Sequence, residues 1–519
     1  MKVKRTILLL TSVLCALLCI VPALYGCAAG NQAAPTPDAV VAPDEADTAI
    51  PQAGLVRGKV TDNNSQMLVA GIIVEDEAGN AYRTTTNAYG GYSLALQPGA
   101  YKLTFCKGAE YDTMERTVTV ESLKTYYQQD ARLTKLNDSY AQGWIAGDAH
   151  QHTYYSDGVD SVESAIISNA SAGLYWGFLT DHNNSRGVPE WTAPSLVNVS
   201  MGEDGAARYF HGFDGVEVTS EFGHFNCLGS GLTLETYDLT LTETERSSQE
   251  KLDYIHENIE YIADCIRRVG GIAQINHPYS VTTMGLANWV ARDDYELFDL
   301  FDTIEIWNGY FVPPDGIFTT ENPMNQNYSS KLLWYELLNQ MRNGRVFHAA
   351  TGGTDNHSTQ SAESAEDRKI LSQEINSLEN YYAYWTHGGQ YSGEPTTYVR
   401  INGEITMQSV MEALKSGHSF ISSGPVVLCD INGVTYGETL VPTGSELILN
   451  TNIFNRDGIS QIRIIVNGEA VATITPDAGT TRYTDPITVS GEWAQHDWIL
   501  IEVLGPIAQY AITNPIILG

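Results

Sequence analysis

Five short segments of this chain each run from apolar residues into acid or imidazole side chains. They are GDAHQHT (Gly147–Thr153), FLTDHN (Phe178–Asn183), GVEVTSEFGHF (Gly215–Phe225), IAQINHP (Ile272–Pro278) and ATGGTDNHS (Ala350–Ser358). Each apolar run reads as a strand, and residue types that bind metal recur where the strand would end. In α/β barrels, active-site residues gather at the C-terminal ends of strands drawn from distant parts of the chain. The pattern therefore points to an α/β barrel that carries a metal centre.

Each segment has its own logic. His150 and His152 are two apart, so on a strand both rings face one side and can share a cation. His182 follows the strand-like Trp176–Thr180 and stands beside Asp181, a candidate acceptor that would orient the ring. Glu217 lies in the apolar run Val216–Val218, where a lone buried carboxylate is costly unless a cation partners it. His224 follows in a loop flanked by glycine, and His277 ends a strand just before Pro278. Asp355 and His357 repeat the two-residue spacing after Gly352-Gly353, read as a flexible pair. Singly, each residue fits a strand cap or a surface position. Together the segments hold six of the twelve histidines, and that coincidence points to one metal site.

The chain has 519 residues, 43% of them hydrophobic, which is room for several domains with ordinary cores. Residues 54–133 read as a small all-β module, with strand-like runs from Val56–Val60 to Arg116–Val120 separated by turns such as Ala78-Gly79-Asn80 and Gln97-Pro98-Gly99. Residues 140–396 alternate strand and helix, which implies parallel strands with crossover helices. Residues 397–519 return to short strands, with turns at Asn432-Gly433 and Asn467-Gly468, and read as a second β-sandwich.

The N-terminus reads as an export signal. Lys2, Lys4 and Arg5 precede the apolar run Ile7–Ala23, and Leu24-Tyr25-Gly26-Cys27 resembles a bacterial lipobox. Residues 1–26 would be removed, Cys27 would carry lipid, and residues 27–53 would form a flexible tether. The expected location is extracytoplasmic, with membrane contact through the lipid anchor alone. Cleavage removes three basic residues and no acidic ones, taking the net charge from −33 to −36. Such a surface repels a phosphate backbone, so no nucleic-acid partner is expected. Cys106, Cys227, Cys265 and Cys429 lack CxxC spacing, and their separations favour buried free thiols over disulfides.

The motifs also carry a resemblance. HQHTYYSDG, LTDHN, INHP and GGTDNH resemble those of the PHP (polymerase and histidinol phosphatase) superfamily. GVEVTSEFGHFNCLG and MEALKSGHSFISSGP are similar to its CehA/McbA-type metallohydrolases. The stretch GNAYRTTTNAYGGYSL…LQPGAYKLTF resembles a carboxypeptidase regulatory-like domain, expected to serve as a spacer or docking module. The resemblance implies a distorted (β/α)7 PHP barrel flanked by two small β-sandwich domains, with two or three divalent ions (Zn, Mn or Fe). It assigns His150, His152, Glu217 and Asp355 to a first ion. A second would take Glu217 as a bridge with His224 and His277, and a third Asp157, His182 and His357.

The activity implied is hydrolysis of a small-molecule substrate by metal-activated water, at a phosphoester or at an amide, carbamate or ester bond. No GxSxG element is present to supply a serine nucleophile. Arg186 is a candidate for meeting an anionic substrate, or else a surface loop residue. Trp176, Tyr279, Trp307 and Tyr310 are candidates for pocket walls or for core. The alternative is a non-enzymatic surface protein that binds through its β-modules, with the barrel as scaffold.

Overall fold

The computed structural model describes residues 53–126, 128–193, 208–220, 222–229, 232, 248–280, 285–288, 290, 293–309, 313–314, 326–358, 392–506 and 509–519. The expected signal segment, most of the expected tether, the candidate lipidation residue Cys27 and the pocket candidate Tyr310 lie outside the described residues.

Strands β1 (Gly54–Thr61), β2 (Gly71–Asp76), β3 (Ala81–Thr85), β4 (Gly91–Leu96), β5 (Gly99–Cys106) and β6 (Met114–Val120) open the described chain. Two short strands, β7 (Thr125–Tyr126) and β8 (Ala131–Arg132), run parallel to β1. They form one sheet around β1, with β4 and β7 on its two sides, and a second in the order β3-β2-β5-β6. Alternation along β4 buries Tyr92, Leu94 and Leu96, and these pack with Val56, Ile72, Leu103 and Phe105 in a core of their own.

Seven strands then run side by side in sequence order: β9 (Trp144–Asp148), β10 (Trp176–Leu179), β11 (His211–Ser220), β12 (Gly223–Leu228), β13 (Ile272–Ile275), β14 (Thr303–Asn308) and β15 (Ala349–Gly353). Pairing is parallel except at β12, which is antiparallel to both neighbours. The β11–β12 link is a hairpin, so His224 sits on a strand and not in the expected loop. Nearly every residue of β9, β10 and β12–β15 is buried, because strands covered on both faces need apolar side chains on both.

Crossovers carry α1 (Val162–Ser171), α2 (Val188–Trp191), α3 (Ser248–Arg268), α4 (Tyr295–Phe298) and α5 (Gln326–Gln340). Ser161 caps α1 by accepting from Ser164 N. Beyond the ends of β9 and β15 the chain closes on itself: Asp355 N donates to His150 O at 2.8 Å and His152 N to Asn356 O at 2.9 Å. That closure faces the first metal-type segment with the last.

The C-terminal residues extend this sheet. β16 (Thr396–Arg400) pairs antiparallel with β9 and with β17 (Ser419–Ser422), and Tyr510–Thr513, Trp498–Leu504, Gln461–Val466 and Glu469–Ile474 follow outward. The expected Asn-Gly turn is present: Asn467 and Gly468 have φ of 53° and 94° and join the last two of these as a hairpin. Two three-stranded sheets complete this part, and its Leu447, Ile453, Ile462 and Ile501 share one core with Trp176, Phe178 and Leu179 of β10. The four described cysteines are free and buried, as their spacing suggests.

Candidate metal centre

Strand register delivers the site. Thr219 of β11 stands opposite His224 of β12, and Glu217 lies two residues back on the same face. His182, past the end of β10, bridges in parallel to Glu217. His150, His152, His277, Asp355 and His357 follow the ends of β9, β13 and β15. The closed turn of chain thus brings all nine expected residues to one end of the sheet.

Glu217 is the hub. Its Oε1 is 3.3 Å from His150 Nε2, 3.1 Å from His224 Nδ1 and 3.4 Å from His277 Nε2. Its Oε2 is 3.2 Å from His152 Nε2 and 2.9 Å from His182 Nδ1. Asp355 Oδ1 lies 3.2 Å from His150 Nε2 and 2.9 Å from His152 Nε2. On the outer side, Asp157 is 3.4 Å from His182 Nε2 and 3.0 Å from His357 Nε2. Donor atoms fall into three groups that could each hold an ion: His150, His152, Glu217 and Asp355; His182, Glu217 and His224; and His152, Asp157, His182 and His357. His277 reaches Glu217 but belongs to none of these groups, whereas His182 is shared by two of them.

The chemistry of these atoms fits a cation. His150 Nδ1 lies 2.9 Å from Glu305 Oε1, a hydrogen bond in which the carboxylate oxygen accepts and Nδ1 donates. A neutral His150 ring then points a lone pair from Nε2 at Glu217 and Asp355, which offer only lone pairs in return. His150 Nε2, His152 Nε2, Glu217 Oε2 and His277 Nδ1 are buried without a hydrogen bond among the described residues. Ligands set tetrahedrally around an ion at about 2.1 Å stand about 3.4 Å apart, close to the separations here. Without a cation, protons on His150 and His182 take its place. Burial opposes that at His150, but Asp355, Glu217 and Glu305 outweigh it and raise its pKa well above the usual imidazole value. Burial likewise opposes protonation of His182, and Glu217 and Asp157 overcome it, pushing the pKa up to about 10. Glu217 is held well below the usual carboxylate range: desolvation works against its charge, and His150, His224 and His182 prevail. At His224 burial dominates and the pKa falls.

The backbone around the site is also unusual. His277 and Asp355 adopt positive φ, 26° and 51°, a region that costs a non-glycine residue free energy and clusters at functional sites. Gly353 is buried in β15 and not a flexible hinge: a Cβ there would meet His150 Cβ at 2.3 Å and Glu305 Oε1 at 2.7 Å.

Other expectations turn out differently. Asp181 does not orient His182; its carboxylate accepts from Thr153 N, Thr153 Oγ1 and Ser156 Oγ at 2.7–2.8 Å and so holds the turn leading to Asp157. The partner of His182 Nδ1, besides Glu217, is Thr219 Oγ1 at 2.5 Å. Arg186 is exposed and donates to Tyr155 O at 2.7 Å and Asn184 Oδ1 at 3.3 Å, tying down the loop after His182. Trp176 and Trp307 are core residues: Trp176 packs over Gly147, Trp307 lies against Tyr510, and Tyr279 also packs on the core.

Sequence reasoning passed over four residues of the site. Glu305 is buried on β14 in the run TIEIWN, and the argument applied to Glu217 in its apolar run would have found it. Asn276 Nδ2 donates to Glu217 Oε1 at 2.8 Å, and Asn308 Nδ2 to Asp355 Oδ2 at 3.1 Å. Asp148 is buried and accepts from His150 N and Thr354 N, both at 3.1 Å, and burial raises its pKa to about 7. Nothing in an asparagine's sequence context distinguishes it from a turn residue.

No protein-family model matches the sequence, and no curated protein matches it. Among solved structures, the chain is similar to a two-domain protein of Bacteroides vulgatus described as containing a predicted PHP-like metal-dependent phosphoesterase, at 15% identity and a TM-score of 0.33, over 72% of this chain and 96% of that one. A candidate metal-dependent phosphoesterase of Bifidobacterium adolescentis aligns at 15% identity and a TM-score of 0.26, over 41% of this chain and 87% of that one. An amidohydrolase of Chromobacterium violaceum, with bound sulfate and no metal, aligns at 16% identity and 0.26 over the same shares. At these scores the reading of the site stands on its own geometry.

Proposed function

We propose that this chain is a metal-dependent hydrolase with a PHP-type barrel, acting on a phosphoester or on an amide, carbamate or ester bond of a small molecule. The observation that carries this is the facing of lone pairs: three carboxylates and six imidazoles converge at one end of the sheet, with buried ligand atoms that no hydrogen of the described residues satisfies. Divalent ions held there would supply Lewis-acid polarisation of the scissile group and acidify water. His150, His152, Glu217 and Asp355 would hold one, Glu217 with His182, His224 and His277 a second, and Asp157, His182 and His357 a third. Glu217 and Asp355, both buried, would supply the negative charge that offsets the ions. Burial of the inner residues limits water to the Asp157 side, where His182 and His357 are half-buried and Asp157 is the most open.

The same reading places the enzyme outside the cytoplasm, tethered by lipid on Cys27, on the strength of the lipobox-like Leu24-Tyr25-Gly26-Cys27. The test is a substrate panel spanning phosphomonoesters, phosphodiesters, amides, carbamates and carboxylic esters, assayed on protein loaded with Zn, Mn or Fe and on chelated protein. Turnover of at least one class that is lost on chelation and restored by metal is expected. Equal turnover by the chelated protein would overturn the reading.

A further inference from the structure

Among the described residues, Glu305 bonds to two histidines of the site on the sides that face away from Glu217. Its side chain is buried at the end of β14, with Oε1 2.9 Å from His150 Nδ1 and Oε2 accepting from His277 N at 3.0 Å. Oε2 also accepts from Asn308 Nδ2 at 3.0 Å, and the same amide group donates to Asp355 Oδ2 at 3.1 Å. One carboxylate therefore reaches three of the inner metal-type residues, two directly and one through Asn308.

Each contact has a physical consequence. Holding the proton on His150 Nδ1 leaves the lone pair on Nε2, the nitrogen of that ring that faces Glu217 and Asp355. The bond to His277 N stabilises a backbone at φ 26°, which the residue would not otherwise prefer. The space Glu305 occupies exists because residue 353 lacks a Cβ. By contrast, Asp157, His182 and His357 group on the outer side, where Asp157 joins the two rings, His182 also meets Thr219 and Glu217, and His357 meets Asp355.

We infer that Glu305 is a positioning residue that sets the His150 tautomer and the His277 backbone, and so controls ion binding at the inner positions while leaving the Asp157 position alone. The inference rests on the metal-site reading above. Carboxylates that orient a ligating imidazole are typically worth about 10–100-fold in metal affinity. Glu305→Gln keeps the shape, but its amide nitrogen must face either the protonated His150 Nδ1 or the donors of His277 and Asn308.

The test compares zinc content of wild type, Glu305→Gln, Glu305→Asp and Asp157→Asn across a chelator series, with circular dichroism to confirm folding. Glu305→Gln is expected to release its inner ions at about 10–100-fold lower chelator concentration and to keep the Asp157 ion at the wild-type concentration. Asp157→Asn should show the reverse pattern, and Glu305→Asp an intermediate one. Identical release curves for Glu305→Gln and wild type would overturn the role of Glu305, whereas wild type that binds no zinc would overturn the metal-site reading itself. If Glu305→Gln fails to fold, the tautomer decides: in wild type labelled with 15N-histidine and loaded with zinc, His150 should be protonated at Nδ1 and ligating through Nε2. Ligation through Nδ1 would contradict the inference.

Discussion

At the scale of single residues, the site is a set of charges that only make sense together. Glu217 accepts Asn276 and faces five imidazoles, so its neighbours decide its protonation and it decides theirs. This has a consequence for pH. In metal-free protein the raised pKa of His182, about 10, contributes stability that is fully present below the unfolded imidazole value of about 6.5 and lost as pH climbs towards 10. The depressed carboxyls of Glu217 and Asp157 contribute stability that is present above their unfolded values near 4 and lost on acidification. Metal-free protein should therefore be most stable between about pH 4.5 and 6.5. Ion binding should release protons and tighten as pH rises, because ions and protons compete for the same lone pairs. Melting temperatures of chelated and loaded protein from pH 4 to 9 check this, and chelated protein that gains stability from pH 7 to 9 would contradict it.

At the scale of elements, the end of β15 is where geometry is tightest. Gly353→Ala would drive a methyl into His150 and Glu305, at a cost of about 1–3 kcal/mol from overpacking and a loss of inner ions besides. Gly444→Ala, with nothing within 4 Å of the added carbon, is the control and should change stability by less than about 0.5 kcal/mol. Thermal melts and metal content of the two variants decide it. Much of this element pattern is legible in the sequence. The six runs before residue 121 are strands, because alternating and turn-bounded runs leave few other choices. The segments ending at His150, His182, His277 and Asp355 do converge, because parallel strands place their ends on one side. The β11–β12 hairpin was not legible: GHFNCL mixes His224 and Asn226 with apolar residues behind a glycine, and only pairing partners from β11 and β13 reveal it as a strand. Nor was the rigidity of Gly352-Gly353, since a glycine pair spells flexibility locally and close approach only in the folded state.

At the scale of the whole molecule, strands β9–β15 and the C-terminal strands share one sheet and one core. β16 covers the edge of β9, and Trp144 packs against Phe420 and Tyr436. Lys331 of α5 is buried against Glu502 at 2.7 Å, with the Tyr335 and Tyr510 hydroxyls on the same carboxylate. Residues 53–395 alone should therefore not fold into a metal-binding barrel, since they would strand Lys331 without its carboxylate and bare the β9 edge. Soluble, metal-loaded protein from that fragment would contradict the shared-core account. The N-terminal module is fastened differently, by the buried Lys107 ammonium donating to Val69 O and to Ala170 O in the last turn of α1, where the helix dipole favours a cation. The central claim, however, is the ion cluster built around Glu217. The most direct measurement is the metal content of purified wild type, Glu217→Gln and Asp157→Asn, each checked for folding by circular dichroism. The account predicts two or three equivalents in wild type, a loss of about two in Glu217→Gln and of about one in Asp157→Asn, because one carboxylate is shared and the other is peripheral. Full metal content in Glu217→Gln would contradict it.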